Sequence, residues 1–589
     1  MAKVDVPQDL VAVFHASFHP TKGNVIDWCI KASDELSLEN LEFSALPSGL
    51  HLVDEDVVYF DKDGQHGVCV FRRRKTTEHG QRGFRLSSLG VLLAKSDRPR
   101  PWRHTSALKN LITIIYSKLE FSGILEPTEE DWEPAKQFFE ERKVKRADLG
   151  GAGVWDGWSH DLYSLDPLLN PTLHLTHLLR ILGPSSLTLY KHVLGRRRIL
   201  ILTLPPVEAA CVLCHVAADL CFEEQVDYTS LHPGSSPDVL PRRLKGKSRQ
   251  GISVLGMVTL NDLDRLVQEG QTGRGWIACT TDAIYLEKPS CYDLLINLTT
   301  LSPNKSTRPT FHVSKPILDA TSSRGPTHRL STIRFAWSDV RLWNEVDRLL
   351  QLDAENGGSH TCCAPPTTAD AKSKLVTTWT DAWRVYEDVC IMCAGLWMGS
   401  WRNNSVMSYS SANGSGNWGS VRLEGDDDLT MRTVGAGIEG GPSAQPKKSS
   451  AMSTKSVGSP PATPRSSRHG KGRQEPSNNF VPETSPPEDT TCDRSDGQTL
   501  TTLALLQTFH AHTCFQLSQL EALLPSQSSS SSSSEPIYLS PKDVLSFELG
   551  PWSSLDARYL EWLAEEYAGG QRVVVRRGWR DMLGVLFGY

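Results

Sequence analysis

The chain is short of the features that mark membrane-spanning and secreted proteins. Its most apolar stretch, residues 199–222, is interrupted by Pro205, Pro206 and Glu208. It therefore lacks the roughly 20 uninterrupted apolar residues that a transmembrane helix needs. Residues 1–9 are polar, and the apolar segment of a secretory signal does not follow them. The 13 cysteines are scattered and odd in number, which favours reduced thiols over a disulfide framework. These observations predict a cytoplasmic protein.

An excess of positive charge is also missing. The chain has 62 Lys and Arg against 68 Asp and Glu, for a net charge of -6. Proteins that bind nucleic acid usually present a basic surface, so we expect no nucleic-acid partner. A repeat of 20–50 residues, the sign of a solenoid, is absent from the sequence. At roughly 150 residues per domain, 589 residues allow about four domains.

Part of the chain has too few apolar residues to fold. Residues 403–497 are dominated by Ser, Thr, Gly, Pro, Asn and charge, so the buried area cannot offset the loss of chain entropy. We predict a long disordered insertion there, and a second spacer at the seven serines of 528–534. Ser459, Thr463 and Ser485 each precede a proline. They are either proline-directed phosphorylation sites, each adding about -1.5 to -2 charges, or unmodified residues.

In the first 125 residues, apolar and polar residues alternate as they do in β-strands. Residues 10–18, 25–30 and 84–93 read as strands, and 57–60 and 67–72 flank an Asp-Gly turn typical of a hairpin. A change to helical period follows, because apolar residues lie on one face at Leu108, Leu111, Ile112, Ile115, Tyr116 and Leu119. These patterns predict a small α/β sandwich. Residues 126–159, which are charged and rich in glycine, read as a linker.

A second α/β pattern begins near residue 160. Residues 171–182 and 186–194 read as helices. The continuously apolar run at 198–204 is typical of a buried parallel strand, and Pro205-Pro206 ends it before another helix. Further strands are predicted at 254–259, 276–280 and 293–298, and a helix at 341–352. The expected fold class is therefore α/β with a buried parallel sheet, followed by a mostly helical C-terminal part.

The candidate hydrolase, phosphate-binding and metal-binding motifs in the sequence are incomplete. Leu255 occupies the second glycine of a hydrolase G-x-S-x-G motif, and Pro241 occupies the first glycine of a phosphate-binding loop ending at Gly246-Lys247-Ser248. The pairs Cys211/Cys214 and Cys390/Cys393 have the spacing of zinc ligands, but apolar residues separate them, which favours core packing. His174 and His177 have no third ligand nearby. We expect no catalytic residue, no cofactor and no metal.

The sequence leaves two alternatives for each of two basic clusters. Arg196, Arg197 and Arg198 would lie at the entrance to a buried strand, where they either face solvent or reach an acidic partner or lipid headgroups. Arg242, Arg243, Lys245, Lys247 and Arg249 share one polar segment. Each basic residue near an anionic leaflet contributes on the order of 1 kcal/mol, so five would support transient membrane contact. The alternative is a solvated loop.

The order of several segments resembles the DENN-domain proteins, most closely the LCHN-like branch and its fungal relatives. The segments are residues 23–29 and 41–49, 82–92, 194–202 with 205–207, 278–285 with 292–294, and 549–551 with 560–567. The resemblance implies a longin-like upstream lobe at 9–125, a central lobe at 160–352 and a helical downstream lobe at 372–401 and 498–589. The insertion at 403–497 departs from the family pattern.

The resemblance also implies a function. DENN-domain proteins act as guanine-nucleotide exchange factors for Rab-type small GTPases in vesicle traffic, which implies a Rab-type partner and a location in the cytoplasm or peripherally on endomembranes. Two alternatives remain open. One is a non-catalytic scaffold. The other is a GTPase-activating protein, in which Arg82 or Arg85 would be an arginine finger that stabilises charge on the transferred phosphoryl group.

Overall fold

A computed structural model describes most of the chain outside the long insertion. The described residues are 6–76, 83–96, 98–122, 127–145, 158–163, 170–221, 244, 246–247, 251–299, 309–317, 327–355, 490–524 and 536–576. The predicted insertion lies outside this set up to residue 489. Its last residues, 490–497, are helical and not disordered as predicted, because they continue into a helix that ends at Leu523. So do the downstream piece at 372–401, the serines at 528–534, the Ser459, Thr463 and Ser485 sites, and the pair Cys390/Cys393.

The N-terminal half is an antiparallel sheet in the order β3-β4-β5-β1-β2. The strands are β1 (Leu10–His19), β2 (Gly23–Lys31), β3 (Glu55–Lys62), β4 (Gln65–Lys75) and β5 (Phe84–Leu93). The Asp-Gly turn lies between β3 and β4, where Asp63 and Gly64 have φ of 53° and 79°. Both are left-handed, as a two-residue hairpin turn that matches the strand twist requires. The strands predicted from alternation are confirmed.

Three helices accompany this half: α1 (Leu41–Ala45), α2 (Thr105–Ser122) and α3 (Glu133–Arg142). Helix α3 lies inside the stretch whose composition predicted a linker. Phe139 is fully buried, and Trp132, just before the helix, stacks on Trp28 with 4.8 Å between ring centroids. The average composition of residues 126–159 did not indicate this helix, because its few apolar residues lie on one face and the rest of the segment is charged.

The second half contains four parallel strands, as the apolar runs predicted. They are β6 (Ile199–Leu202), β7 (Ser253–Met257), β8 (Trp276–Thr280) and β9 (Leu294–Asn297), in the order β9-β6-β8-β7. Two antiparallel strands that the sequence pattern did not indicate, β10 (Thr310–Ile317) and β11 (Thr327–Ile333), extend the sheet beyond β9. All four residues of β6 are buried, as expected for a strand covered on both faces.

Helices surround the parallel half of the sheet and make up most of the C-terminal part. Around the sheet lie α4 (Trp158–Tyr163), α5 (Leu175–Leu182), α6 (Ser186–Leu194), α7 (Glu208–Asp219), α8 (Leu263–Gln271) and α9 (Asp339–Glu355). The C-terminal part contributes α10 (Thr490–Leu523), α11 (Pro541–Ser546) and α12 (Ser554–Tyr567). Two short strands, β12 (Ile537–Leu539) and β13 (Val573–Val575), pair in parallel beside them.

The two halves share one eleven-stranded sheet, which the sequence pattern did not indicate. The join is between β3 and β7, where Phe60 pairs with Gly256. Gly256 has φ of +65°, and a Cβ atom there would lie 2.3 Å from the carbonyl oxygen of Tyr59. Position 256 therefore requires glycine for two reasons: the backbone conformation is left-handed, and the neighbouring strand leaves no room for a side chain. The division into an upstream lobe at 9–125 and a central lobe at 160–352 stays a prediction.

A buried ion triad fastens the C-terminal part to the second half. The Nζ of Lys191 on α6 lies 2.6 Å from Asp339 Oδ1 on α9 and 2.5 Å from Asp556 Oδ1 on α12. Burial alone would lower the pKa of Lys191, but the two carboxylates outweigh burial and raise it. Asp556 also accepts hydrogen bonds from Ser338 Oγ and from the backbone N–H of Gly550. The triad thus joins three helices at one point.

We expect the substitution Gly256→Ala to be more destabilising than Gly273→Ala. Both glycines are left-handed, at φ of +65° and +71°, so alanine costs each about 1–2 kcal/mol. Gly273 has nothing within 4 Å of the added Cβ, whereas Gly256 meets rigid backbone, which adds about 1–3 kcal/mol. Urea unfolding of the two variants measures the difference. Equal losses would show that the β3–β7 join is not tightly packed.

Candidate functional site

The two halves of the sheet meet at a buried aspartate that caps a helix. Asp56, near the start of β3, accepts hydrogen bonds from the backbone N–H of Val207 at 2.6 Å and of Glu208 at 3.1 Å. These groups open helix α7, whose first N–H groups have no partner within the helix. Burial raises the pKa of Asp56, and the two N–H groups oppose that rise. A side chain of the first half thereby fixes a helix of the second.

A cleft of about 110 Å³ opens beside this cap, and we call it the seam cleft. Lys109 of α2 and Glu208 of α7 face it from opposite halves of the chain. Burial raises the pKa of Glu208, and Asp56 and Glu55 raise it further, while Lys109 opposes them. The remaining lining comes from Tyr59, Trp102, Thr105, Ser106, Pro171, His174 and Val212.

Exposed apolar side chains surround the carboxyl ends of the parallel strands. Leu204 after β6 is 52% exposed, Leu260 after β7 is 49% exposed and Ile284 after β8 is 40% exposed. Leu52 of the first half is 65% exposed, and a Cβ atom added at nearby Gly49 would lie 3.1 Å from the ring of Pro205. We call these four residues the strand-end surface. In open α/β sheets, ligands bind at this edge, and exposed apolar residues grouped at one place mark interaction sites.

Hydrogen bonds show that the strand ends are neighbours. The N–H of Thr203 donates to the carbonyl of Thr280 at 2.9 Å, and the N–H of Leu260 donates to Asp282 Oδ2 at 3.1 Å. Sequence reasoning missed this surface. A signal was present, since Leu204 ends the apolar run at 198–204 and directly precedes Pro205-Pro206, which end the strand.

The three arginines before β6 are each held by the protein itself. Arg196 is 4% exposed and donates to the hydroxyl of Tyr567 at 3.3 Å. Arg197 lies 2.5 Å from Glu565 Oε2, and Arg198 donates to both oxygens of Asp293 at 2.8 and 3.2 Å. They are therefore neither plain solvated residues nor an open basic patch. Two of them tie the strand entrance to α12.

The second basic cluster and one arginine-finger candidate lie mostly outside the described residues. This applies to Arg82, Arg242, Arg243, Lys245 and Arg249. The backbone N–H of Lys247 donates to the carbonyl of Glu566 at 3.1 Å.

Arg85, the other arginine-finger candidate, is half-buried on β5 opposite Arg74 of β4. Glu55 at the start of β3 pairs with Arg72, two residues before Arg74, so Arg85 lies at the sheet edge that also carries Leu52. The structure thus puts this candidate and the strand-end surface at the same edge.

The described cysteine and histidine candidates do not form a cluster of ligands. Cys211 and Cys214 are buried on α7, and Cys211 Sγ lies 3.5 Å from Cys279 Sγ. Burial raises the pKa of Cys211, which keeps it a thiol. His174 lines the seam cleft, and His177 follows on α5. Within the described part of the chain, no group of three or more His, Cys, Asp or Glu side chains could hold a metal ion.

Comparison with known proteins gives a consistent match over the first half. The profile of the family "DENN domain-containing protein 11" matches residues 13–308. DENN domain-containing protein 11 of Xenopus laevis is 27% identical over 293 residues, which is 49% of this chain and 59% of that protein. Its counterpart in Rattus norvegicus is 28% identical over 304 residues, covering 50% and 58%. The uncharacterized protein ANR2 of Saccharomyces cerevisiae is 24% identical over 322 residues, covering 50% and 58%.

The sequence match and the architecture agree. The profile match, which runs from the antiparallel half into the parallel half, makes the molecule a DENN-domain protein. The chain belongs to the DENN domain-containing protein 11 family, whose profile spans half of its length. The chain spans less than two thirds of the length of the relatives it matches. Among the described helices, none combines the length and the apolar character that crossing a bilayer requires.

We expect Asp56→Asn to destabilise the protein by about 1–3 kcal/mol, because an amide cannot accept all three backbone N–H bonds that the carboxylate accepts. The matched control is Asp54→Asn. Asp54 is exposed and paired with Arg73, so its loss should cost less than about 1 kcal/mol. Chemical denaturation of both variants measures the effect. Equal costs would mean that the cap does not hold the halves together.

Proposed function

We propose that this protein is a guanine-nucleotide exchange factor for a Rab-type small GTPase in vesicle traffic, and that it binds the GTPase at the strand-end surface and the seam cleft. The observation that carries the proposal is the group of exposed apolar side chains at an edge to which both halves of the sheet contribute. Membership of the DENN domain-containing protein 11 family supports it.

The chemistry of the edge suits a protein partner. Its centre offers Leu52, Leu204 and Leu260, and charged groups such as Lys109 and Glu208 lie beside it. Protein interfaces combine an apolar, desolvated centre with a polar rim in this way. A small GTPase placed there would contact both halves at once, and the Asp56 cap would hold those halves in one orientation.

Exchange needs differential binding instead of a nucleophile or a general acid. If the protein binds the nucleotide-free GTPase more tightly than the loaded one, linkage requires that nucleotide binding is weakened by the same factor. The GTPase would supply the nucleotide site. The protein would act in the cytoplasm or peripherally on endomembranes, and the segment from Arg242 to Arg249 would give transient contact with an anionic membrane surface.

We expect the full chain to accelerate nucleotide release from at least one member of a Rab panel. The substitutions Leu204→Asp and Leu260→Asp should each reduce that acceleration about tenfold or more, because a charge at the centre of an apolar interface is desolvated on binding. Release of a fluorescent guanine nucleotide measures the rate. A chain lacking 403–489 should retain the activity, since the proposed surface does not include the insertion and this deletion leaves α10 whole.

Leu500→Asp serves as the matched control. Leu500 is 59% exposed on α10, and α10 does not contribute to the strand-end surface. Its substitution should leave the release rate unchanged. Equal effects at positions 204 and 500 would contradict the proposed surface. GTPase binding that is insensitive to nucleotide state, with no acceleration, would instead favour the scaffold.

The position of Arg85 also supports GTPase activation as a second candidate, because it lies at the same sheet edge as Leu52. If Arg85 is an arginine finger, Arg85→Ala should reduce GTP hydrolysis by a bound Rab about 10³-fold or more. Single-turnover hydrolysis measures this, and Arg72→Ala, on the neighbouring strand, is the control. The same comparison applies to Arg82. Unchanged hydrolysis in the Arg82 and Arg85 variants would rule out activation by either arginine.

A further inference from the structure

A second group of exposed apolar side chains lies in the C-terminal part, on elements that do not contribute to the strand-end surface. Trp337, just before α9, is 38% exposed, Trp552, just before α12, is 37% exposed, and Leu545 of α11 is 46% exposed. We call these three residues the tryptophan surface. Tryptophan is enriched among the side chains that carry most of the binding energy of protein interfaces. The proposed exchange function does not use this surface, and the inference below does not depend on that function.

One carboxylate brings the two tryptophan positions together. Ser338, which directly follows Trp337, donates its hydroxyl proton to Asp556 Oδ2 at 2.6 Å. The backbone N–H of Gly550, two residues before Trp552, donates to the same oxygen at 2.8 Å. The segment before α9 and the turn before α12 are therefore held side by side at Asp556.

An ion pair connects Leu545 to the same place. Glu548 follows Leu545 by three residues, and its backbone N–H donates to the Leu545 carbonyl at 2.9 Å. The Glu548 carboxylate pairs with Arg341, which lies in the first turn of α9, four residues after Trp337. The Arg341 side chain is 71% exposed, so this ion pair lies at the molecular surface. Exposed apolar side chains beside polar groups of this kind mark an interaction site.

The chain itself contains a segment with the chemistry to cover this surface. Residues 577–589 lie outside the described residues. Their sequence repeats apolar residues at the spacing i, i+3, i+4, i+7 and i+8, at Trp579, Met582, Leu583, Leu586 and Phe587. This spacing is typical of one face of a helix, and helical peptides that bind apolar surfaces use it for their anchors. The segment thus offers an apolar face of its own.

The described chain ends close to the tryptophan surface. Its last strand is β13, where Val575 pairs with Leu539 of β12. Helix α11 begins two residues after Leu539 and carries Leu545, so Leu545 lies within roughly 20 Å of Val575. About six extended residues cover that distance at about 3.3–3.6 Å each, and a helix over 577–589 would be about 20 Å long. The segment is therefore long enough to reach the surface and to lie across it.

We propose that residues 577–589 dock on the tryptophan surface of their own chain, with their apolar face against Trp337, Leu545 and Trp552. The driving force is the removal of apolar area on both sides from water. The connection through β13 keeps the segment at a high effective concentration, so a contact that would be weak between separate molecules is populated within one chain. The tryptophan surface is thus an intramolecular binding site.

Hydroxyl-radical footprinting of the full chain, read residue by residue by mass spectrometry, tests the contact from the side of the surface. In the double variant Leu583→Asp/Leu586→Asp we expect oxidation of Trp337 and Trp552 to rise severalfold, because the two new charges cannot be buried against apolar side chains. Oxidation of Phe121, which is 96% exposed on α2, should stay unchanged and is the internal reference. Unchanged oxidation of both tryptophans would overturn the proposal.

Tryptic release of the peptide that begins at Asp581 tests the contact from the side of the segment. A docked segment protects the bond after Arg580. Trp337→Asp and Trp552→Asp should therefore each speed the release about tenfold or more, the effect of losing one anchor residue. Leu500→Asp, at an exposed position on α10, should leave the rate unchanged. Equal release from the wild-type chain and both tryptophan variants would contradict docking.

The same release assay distinguishes this contact from two other uses of the segment. An apolar face beside Arg577 and Arg580 also suits an anionic bilayer. For a docked segment, we expect slow release without lipid and no change when vesicles of phosphatidylcholine and phosphatidylserine are added. Rapid release that only these vesicles slow would assign the segment to a membrane and overturn the proposal. Protection that grows with protein concentration would assign it to a second copy of the chain, with the same consequence.

Discussion

The rest of the structure depends on three buried charges that meet at one point. They belong to Lys191, Asp339 and Asp556. Lys191 and Asp556 are 365 residues apart, yet their side chains meet at 2.5 Å. Removing one member of a buried ion pair costs about 3–5 kcal/mol, because the remaining charge is left without a partner. Asp339 and Asp556 each have further hydrogen bonds, from Ala336 N–H and from Ser338 and Gly550. The C-terminal helices can therefore dock on α6 in one register.

That register decides what the basic residues do. With α12 in place, Glu565 meets Arg197, and Arg196 lies against Tyr567 at the strand entrance. A run of arginines that would otherwise be an open cationic surface becomes an attachment between the sheet and the last helices.

The join between the two halves of the sheet works by a different principle. The halves meet at Phe60 and Gly256, where the backbones approach too closely for a side chain, and Asp56 caps α7 across the join. Backbone contact and a helix cap fix orientation more strictly than apolar packing, because both depend on direction. A partner that contacts both halves would therefore meet a surface with defined geometry.

The sequence by itself determined the strands of the first half, the hairpin turn at Asp63-Gly64 and the parallel strands, because alternation, turn chemistry and apolar runs are local properties. It also carried the family, through the order of segments across residues 13–308. Only the tertiary structure decided that the halves share one sheet, that the 126–159 stretch contains α3, and which arginines are engaged. Those outcomes depend on partners 95 to 371 residues away, such as Asp293 and Tyr567, and a local pattern contains no information about such distant pairs.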